Sequence, residues 1–290
     1  MGNYGFISID TTHGGVLVAA DSTLFRFDAD GNQVWSVSGS SNIEIVAESG
    51  GVVIYSEQST HTLVGLDNTG ASESQIWSTS VADDAVCAAS GGGYFWVGSE
   101  GGHVWKVDPA DGTVAAADSV PGHVHSIDVD PSTQRVYALR EPGDSSILHQ
   151  FDLSLSQVAT YDAGYPPGWG ISTASGGGGL CYYDWTNNRL RAVDDEALVE
   201  IWNRNLPGDA SQLPQLTEVD RYGHVYVVTY DSPDSSNVIR RYDPSGELVW
   251  EAQAKDSGGS ILSPQAVAVS DDDGVVYLYA SGSVVKMLQL

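Results

Sequence analysis

Carboxylates dominate the chemistry this sequence could support. Asp21, Glu57, Glu100, Glu141, Asp184 and Asp231 each close a short apolar run, and Ser281 holds the corresponding place near the C-terminus. Six such groups on one surface could hold hard cations or meet a basic partner. Carboxylates spread around a ring cannot all reach one ion, and an acid-rich surface puts acid in most loops, so solvation competes with any binding role. The turn Asp28-Ala29-Asp30-Gly31-Asn32 opens like a calcium loop but lacks the later bidentate Glu. Asp-Gly is what a hairpin turn requires, so turn chemistry is expected there and at Asp271-Asp272-Asp273-Gly274. His123 and His125 alternate along a predicted strand, so both rings can point to one side as metal ligands would. No third ligand lies nearby in sequence. They are expected to line a channel or the surface, with no metal and no cofactor.

Aromatic residues supply a second candidate site. Tyr165-Pro166-Pro167-Gly168-Trp169 forms one loop, and Trp185, Asn187 and Asn188 form another beside Asp184. Flat rings flanked by amides suit stacking on a sugar while hydrogen-bonding its hydroxyls. Tyr165, Trp169, Trp185, Asn187 and Asn188 are therefore the expected ligand-binding set, against the plainer reading of packing behind a stiff Pro-Pro turn. Nothing assembles for nucleophilic catalysis: there is no G-x-S-x-G elbow and no Cys–His pairing. Gly176–Gly179 is a hairpin tip, since no helix follows to cradle a phosphate. Cys87 and Cys181 are far apart without a partner motif and read as small buried hydrophobes.

The elements that must position these residues follow from composition and repetition. The 290 residues carry 38 Asp+Glu against 12 Lys+Arg, a net charge of −26, while 41% of residues are hydrophobic. That apolar fraction supports a packed core. The charge repels phosphates and anionic headgroups, so neither nucleic acid nor membrane insertion is expected. Lysine is confined to Lys106, Lys255 and Lys286. Acid excess with little lysine suits very high salt, where the Debye length falls to roughly 3 Å. A halophilic source is expected. The start, MGNYGFISID, shows no export signal and no myristoylation pattern, and no apolar run reaches the length of a membrane helix.

One unit recurs: a short apolar strand ending in Asp, a turn, then a strand that often carries Trp. It reads LFRFDADGNQVWSVS at 24–38, LVGLDNTGASESQIWSTS at 63–80, VWKVDPADGTVAAAD at 104–118 and LHQFDLSLSQVATYD at 148–162. Two further copies are LRAVDDEALVEIWNR at 190–204 and IRRYDPSGELVWEAQ at 239–253, and a seventh starts at VVKML, 284–288. The anchors Asp28, Asp67, Asp108, Asp152, Asp194 and Asp243 lie 39, 41, 44, 42 and 49 residues apart. Two more strands precede each copy. Four strands every 40 or so residues predict an all-β, seven-bladed β-propeller with four-stranded antiparallel blades. The blades are expected at 4–38, 43–80, 85–120, 124–163, 170–204, 216–253 and 265–290. The last counts three strands, which leaves an edge that another chain could complete. EALVEIWN, 196–203, is ambiguous between helix and strand.

The stretches 63–77 and 239–250, with their L-D-x-x-(T/S)-G-x-x-x-W character, resemble the PQQ-like repeat of quinoprotein-type propellers. The resemblance implies that the outer-strand Trp docks on the neighbouring blade. Trp35, Trp77, Trp202 and Trp250 match that position, while Ala115 and Ala159 depart from it. Without the adjacent cysteines of the quinoprotein dehydrogenases, a PQQ site is not implied, and the family's non-enzymatic scaffolds are the nearer analogy. The leading expectation is a non-catalytic module of a larger assembly, binding a partner protein or host glycan, set in a virion (tail, fibre or capsid decoration) of a haloarchaeal virus. The alternatives are a cytoplasmic assembly scaffold and a lyase or hydrolase acting on acidic glycans.

Overall fold

The computed structural model describes residues 6–70, 72–141, 146–164, 171–174, 179–184, 187–207, 217–231, 236–270, 275–280 and 282–287. Among these, every regular element is a β-strand, and the strands form seven antiparallel sheets in simple up-and-down order. Six sheets have four strands: Phe6–Ser38, Ile43–Ser80, Ala85–Ser119, His123–Gly164, Ile171–Asn205 and Thr217–Gln253. The seventh, Ala266–Met287, has three. The chain is a seven-bladed β-propeller. Its first strands touch in succession around the axis, and Ala266–Val269 of blade 7 meets Phe6–Asp10 of blade 1 to close the ring.

Each blade is sandwiched between two others, which explains the sequence pattern of its second strand. Runs such as Gly15–Ala20 and Leu180–Asp184 are apolar without alternation because both faces are covered. Core clusters accordingly lie between blades, as where Trp35 and Leu24 of blade 1 meet Tyr55 and Leu66 of blade 2. Fourth strands alternate instead, having one solvated face. The ambiguous segment 196–203 is a turn leading into the strand Glu200–Asn205.

A repeated latch joins the blades at the end of the molecule that holds the Asp turns. In each turn the Asp carboxylate accepts backbone N–H groups; Asp243 Oδ1, for example, accepts from Ser245 and Glu247 at 2.9 and 3.0 Å. This frees the carbonyl of the following residue to face the preceding blade. Trp77 Nε1 donates to Pro109 O at 2.8 Å, and Trp202 Nε1 to Pro244 O at 2.9 Å. The docking implied by the repeat therefore holds at both; Trp35 packs against Tyr55 and Leu66 of the next blade, but its Nε1 has no partner among the described residues. Where the indole is missing, another donor reaches the same carbonyl. Lys106 Nζ, lying over the Tyr94 ring, reaches Leu153 O at 2.8 Å, and Gln150 Nε2 and Tyr137 Oη reach Asp195 O at 2.5 Å.

A bulge sets the register of this latch. In all six complete blades the pairing of third and fourth strands slips by one residue near the turn. The skipped residue is pushed outward, which is why Ile76, Val158, Ile201 and Val249 are exposed. Blade 3 corrects the expectation for Ala115: that residue is the bulged one, and Ala116 pairs with Lys106 in the latch position. Ala159, opposite Gln150, is the equivalent in blade 4.

Latch residue and turn residue share one volume. The turn glycines Gly112 (φ 72°) and Gly246 (φ 80°) lie against indoles; a Cβ on them would meet Trp77 at 2.5 Å and Trp202 at 2.7 Å. Facing Ala116 and Ala159 the turns instead carry Leu155 (φ 63°) and Leu198 (φ 51°), only 4% and 6% exposed. Left-handed backbone costs a leucine about 1–2 kcal/mol, and filling the space left by the indole offsets it. Ala116→Trp alone is expected to overpack by roughly 1–3 kcal/mol, and Leu155→Gly alone to lose roughly 2–5 kcal/mol. The double variant should exceed their sum in stability by about 1 kcal/mol or more in urea unfolding; strict additivity would contradict the shared volume.

Candidate binding face at the channel mouth

The end of the propeller opposite the Asp turns is built from the loops between second and third strands and from the blade linkers. They hold each other directly: Ile43 N donates to Asp21 O at 2.7 Å, Glu100 N to Asp84 O at 3.0 Å, and Leu206 N to Asn188 O at 2.9 Å. On this face the central channel opens, about 500 Å³ in volume, with Glu44, Glu100, His123, His125, Asp128 and Glu218 among its lining residues.

The predicted acidic ring divides by role. Glu100 reaches the channel. Asp21 sits exposed in a left-handed turn (φ 53°), close enough to add to burial in raising the Tyr279 phenol. Glu57 accepts Ser40 N at 2.9 Å and so fastens the linker between blades 1 and 2. Asp184 is buried, held by Arg191 Nη2 at 2.7 Å and Asn187 Nδ2 at 3.0 Å. Glu141 and Asp231 end their second strands, paired in backbone register with His123 and Ser236; their side chains lie outside the described residues. Ser281 also lies outside them.

Of the expected aromatic site, Tyr165, Trp169 and Trp185 fall outside the described residues, as do Asp271–Asp273 and most of the glycine tip. Asn187 is engaged with Asp184, while Asn188 donates to Leu206 O at 3.0 Å and accepts from Tyr183 Oη at 3.0 Å. Both amides thus serve the framework of blade 5. The Asp28 turn is a hairpin turn, with Oδ1 accepting from Asn32 and Asp30 at 2.9 Å, and these bonds hold its carboxyl below the ordinary range. Cys87 and Cys181 are free, and burial pushes both thiols well above their ordinary range.

His123 and His125 do share one side, stacked at the channel with ring centroids 4.0 Å apart. Among the described residues no three His, Cys, Asp or Glu side chains are grouped to hold a metal ion.

Sequence reasoning missed the most perturbed carboxyl at the channel among the described residues. Glu44 is the second residue of the innermost strand of blade 2 and lies near Asp84 and Glu100; burial, with repulsion from those two, pushes its carboxyl up from 4.5 to about 7. Beside it, Asp84 Oδ1 faces His61 Nε2 at 3.5 Å and Asp83 Oδ2 faces His103 Nδ1 at 3.9 Å. A lone carboxylate in the apolar run Ile43-Glu44-Ile45-Val46 was the available signal. Its meaning depends on Asp84 and Glu100, which only the ring brings near.

Antiparallel four-stranded blades latched by an Asp turn and, at two junctions, an outer-strand indole define the molecule as a PQQ-like β-propeller. Residues 132–289, more than half of the chain, match the PQQ_2 family model, described as outer membrane protein assembly factor BamB, and the chain belongs to that family. No curated protein matches the sequence. Among solved structures it is similar to the Cps50 (Swd1) β-propeller domain of Myceliophteria thermophila, with TM-score 0.73 and 11% identity over 99% of this chain and 96% of that one. It is also similar to BamB from Moraxella catarrhalis, with TM-score 0.60 and 15% identity over 97% of this chain and 83% of that one. At these identities the likeness is one of fold.

Because Glu44 is neutral more readily in the folded protein, its favourable contribution is complete below pH 4.5 and is lost as pH rises through about 7. Glu44→Gln should therefore gain stability over the parent as pH is raised from 5 to 8, by on the order of 1 kcal/mol after solvent screening. Urea unfolding at both pH values checks this; a constant difference would remove the raised carboxyl.

Proposed function

We propose that the chain is a non-catalytic scaffold whose channel-mouth face holds a basic segment of a partner protein. The observation that carries this reading is an imbalance of pairing. At the opposite end buried acid is matched: Asp10 bonds Arg26 at 2.7 Å and accepts from Asn68 at 3.1 Å, and Glu48 accepts from Thr11, Thr12 and Gly51. At the channel mouth Glu44 and Glu100 approach each other, and neither forms an ion pair among the described residues. Like charges held together destabilise a face unless an opposite charge completes it. The family's description as an assembly factor supports a protein partner.

A lysine-rich peptide is the direct probe. Binding measured by calorimetry should weaken with salt and fall roughly tenfold in Glu44→Gln/Glu100→Gln. It should strengthen between pH 6 and 8 as Glu44 ionises. Binding indifferent to both carboxylates would refute the site.

The finer setting we carry forward is a virus particle from a salt-adapted host, with Tyr165, Trp169 and Trp185 meeting a surface glycan. Its support is the acid excess and shortage of lysine. Mass spectrometry of purified particles should find the chain in fixed ratio to the structural proteins; its presence only in uninfected cells would overturn this setting.

A further inference from the structure

The latch is incomplete on both sides of blade 7, and between blades 1 and 2 Trp35 Nε1 is likewise buried without a partner among the described residues. The outer strand of blade 7, Ser283–Met287, has no fourth strand beside it among the described residues. The carbonyl of Ala29, which follows the turn Asp28 as Pro109 follows Asp108, receives no donor among the described residues. On the other side Trp250 Nε1 is buried without an acceptor among the described residues, although it occupies the position from which Trp77 and Trp202 donate; the blade 7 turn that would face it lies outside those residues.

The turn residue indicates what belongs there. Within this chain, Gly112 and Gly246 face indoles, whereas Leu155 and Leu198 face alanines. The corresponding residue opposite blade 7 is Gly31 (φ 84°), whose N–H bonds Asp28 O at 3.0 Å as in the turns of blades 3 to 6. A Cβ there would meet only the Val284 carbonyl, at 3.4 Å. By the volume rule of the other junctions, Gly31 belongs with an aromatic latch. Charge selects the remaining features. Asp28 and Asp30 precede Gly31 in the same turn, and a second copy of this chain would bring another −26 charge.

We propose that the outer edge of blade 7 is a strand-acceptor site for an extended segment of a partner polypeptide, carrying tryptophan at the latch position and basic residues on its outward face. The segment runs antiparallel to Ser283–Met287, sets its indole over Gly31 and donates to Ala29 O. Edge pairing provides affinity and the indole provides selectivity. Ala29 and Gly31 lie at the Asp-turn end, opposite the channel mouth, so this site stands or falls separately from the scaffold face.

The probe is a glycine-flanked peptide Lys-Val-Trp-Lys-Val-Lys, patterned on the blade 1 strand Gln33–Ser38 with its exposed positions made lysine. Added to the full chain carrying Glu44→Gln/Glu100→Gln, which weakens binding at the channel mouth, it should bind saturably at 1:1 and weaken at least tenfold when its Trp becomes Ala. Gly31→Leu, a residue the equivalent turns tolerate at Leu155 and Leu198, should weaken it at least tenfold and leave lysine-peptide binding at the channel mouth unchanged. Independently, Ser283→Cys should crosslink a peptide with cysteine at its C-terminal end in preference to its N-terminal end, as Thr23 pairs with Ser38 in blade 1. No saturable binding, equal binding of the Trp→Ala peptide, indifference to Gly31→Leu, the opposite crosslink, or Ser283→Cys homodimers would each overturn the proposal.

Discussion

At four of its junctions the structure rests on a single carbonyl in the Asp turn. A blade of four short strands cannot cover its own faces, so the ring stands only if each blade is fixed to the next. Apolar packing supplies most of the energy but little orientation. The carbonyl after the turn Asp supplies orientation, because a buried donor reaching it must be placed to within a hydrogen bond or remain unsatisfied. Trp77 and Trp202, Lys106, and Gln150 with Tyr137 are three chemical solutions to that one constraint, at four junctions. The glycine or leucine of each turn then follows from how much room the chosen donor leaves.

This division of labour separates the two ends of the molecule. The turn end carries the latches and the matched buried charges, with Asp10, Arg26 and Asn68 tying blade 1 to blade 2. Most of its polar groups are consumed by structure. The opposite end is held by backbone bonds between linkers and loops, which leaves side chains such as Glu44, Glu100, His123 and His125 to face the channel. An acidic protein can concentrate unbalanced charge there because the other end already fixes the ring.

Several features were legible because they depend on local chemistry. The Asp anchors, the turn behaviour of Asp28 and the common side of His123 and His125 all follow from short-range geometry, as the structure shows. The displacement of Ala115 by Ala116 was not legible, since a bulge leaves no mark in the residues themselves. Asp184 was misleading for a related reason. It shares a sequence position with exposed Glu100, yet Arg191 and Asn187 converge on it from the neighbouring strand and turn.

Strand length, turn residues and the interval between Asp anchors are properties of neighbouring residues, so they dictated seven blades, their antiparallel order and the short final sheet before any contact was known. The tertiary arrangement alone settled which carboxylates are spent on the framework and which remain at the channel, because burial and ion pairing depend on residues from different blades. It also showed that the Trp/Gly and Ala/Leu combinations are two fillings of one space. Those partners lie roughly 40 residues apart, and their complementarity exists only where one blade leans on the next.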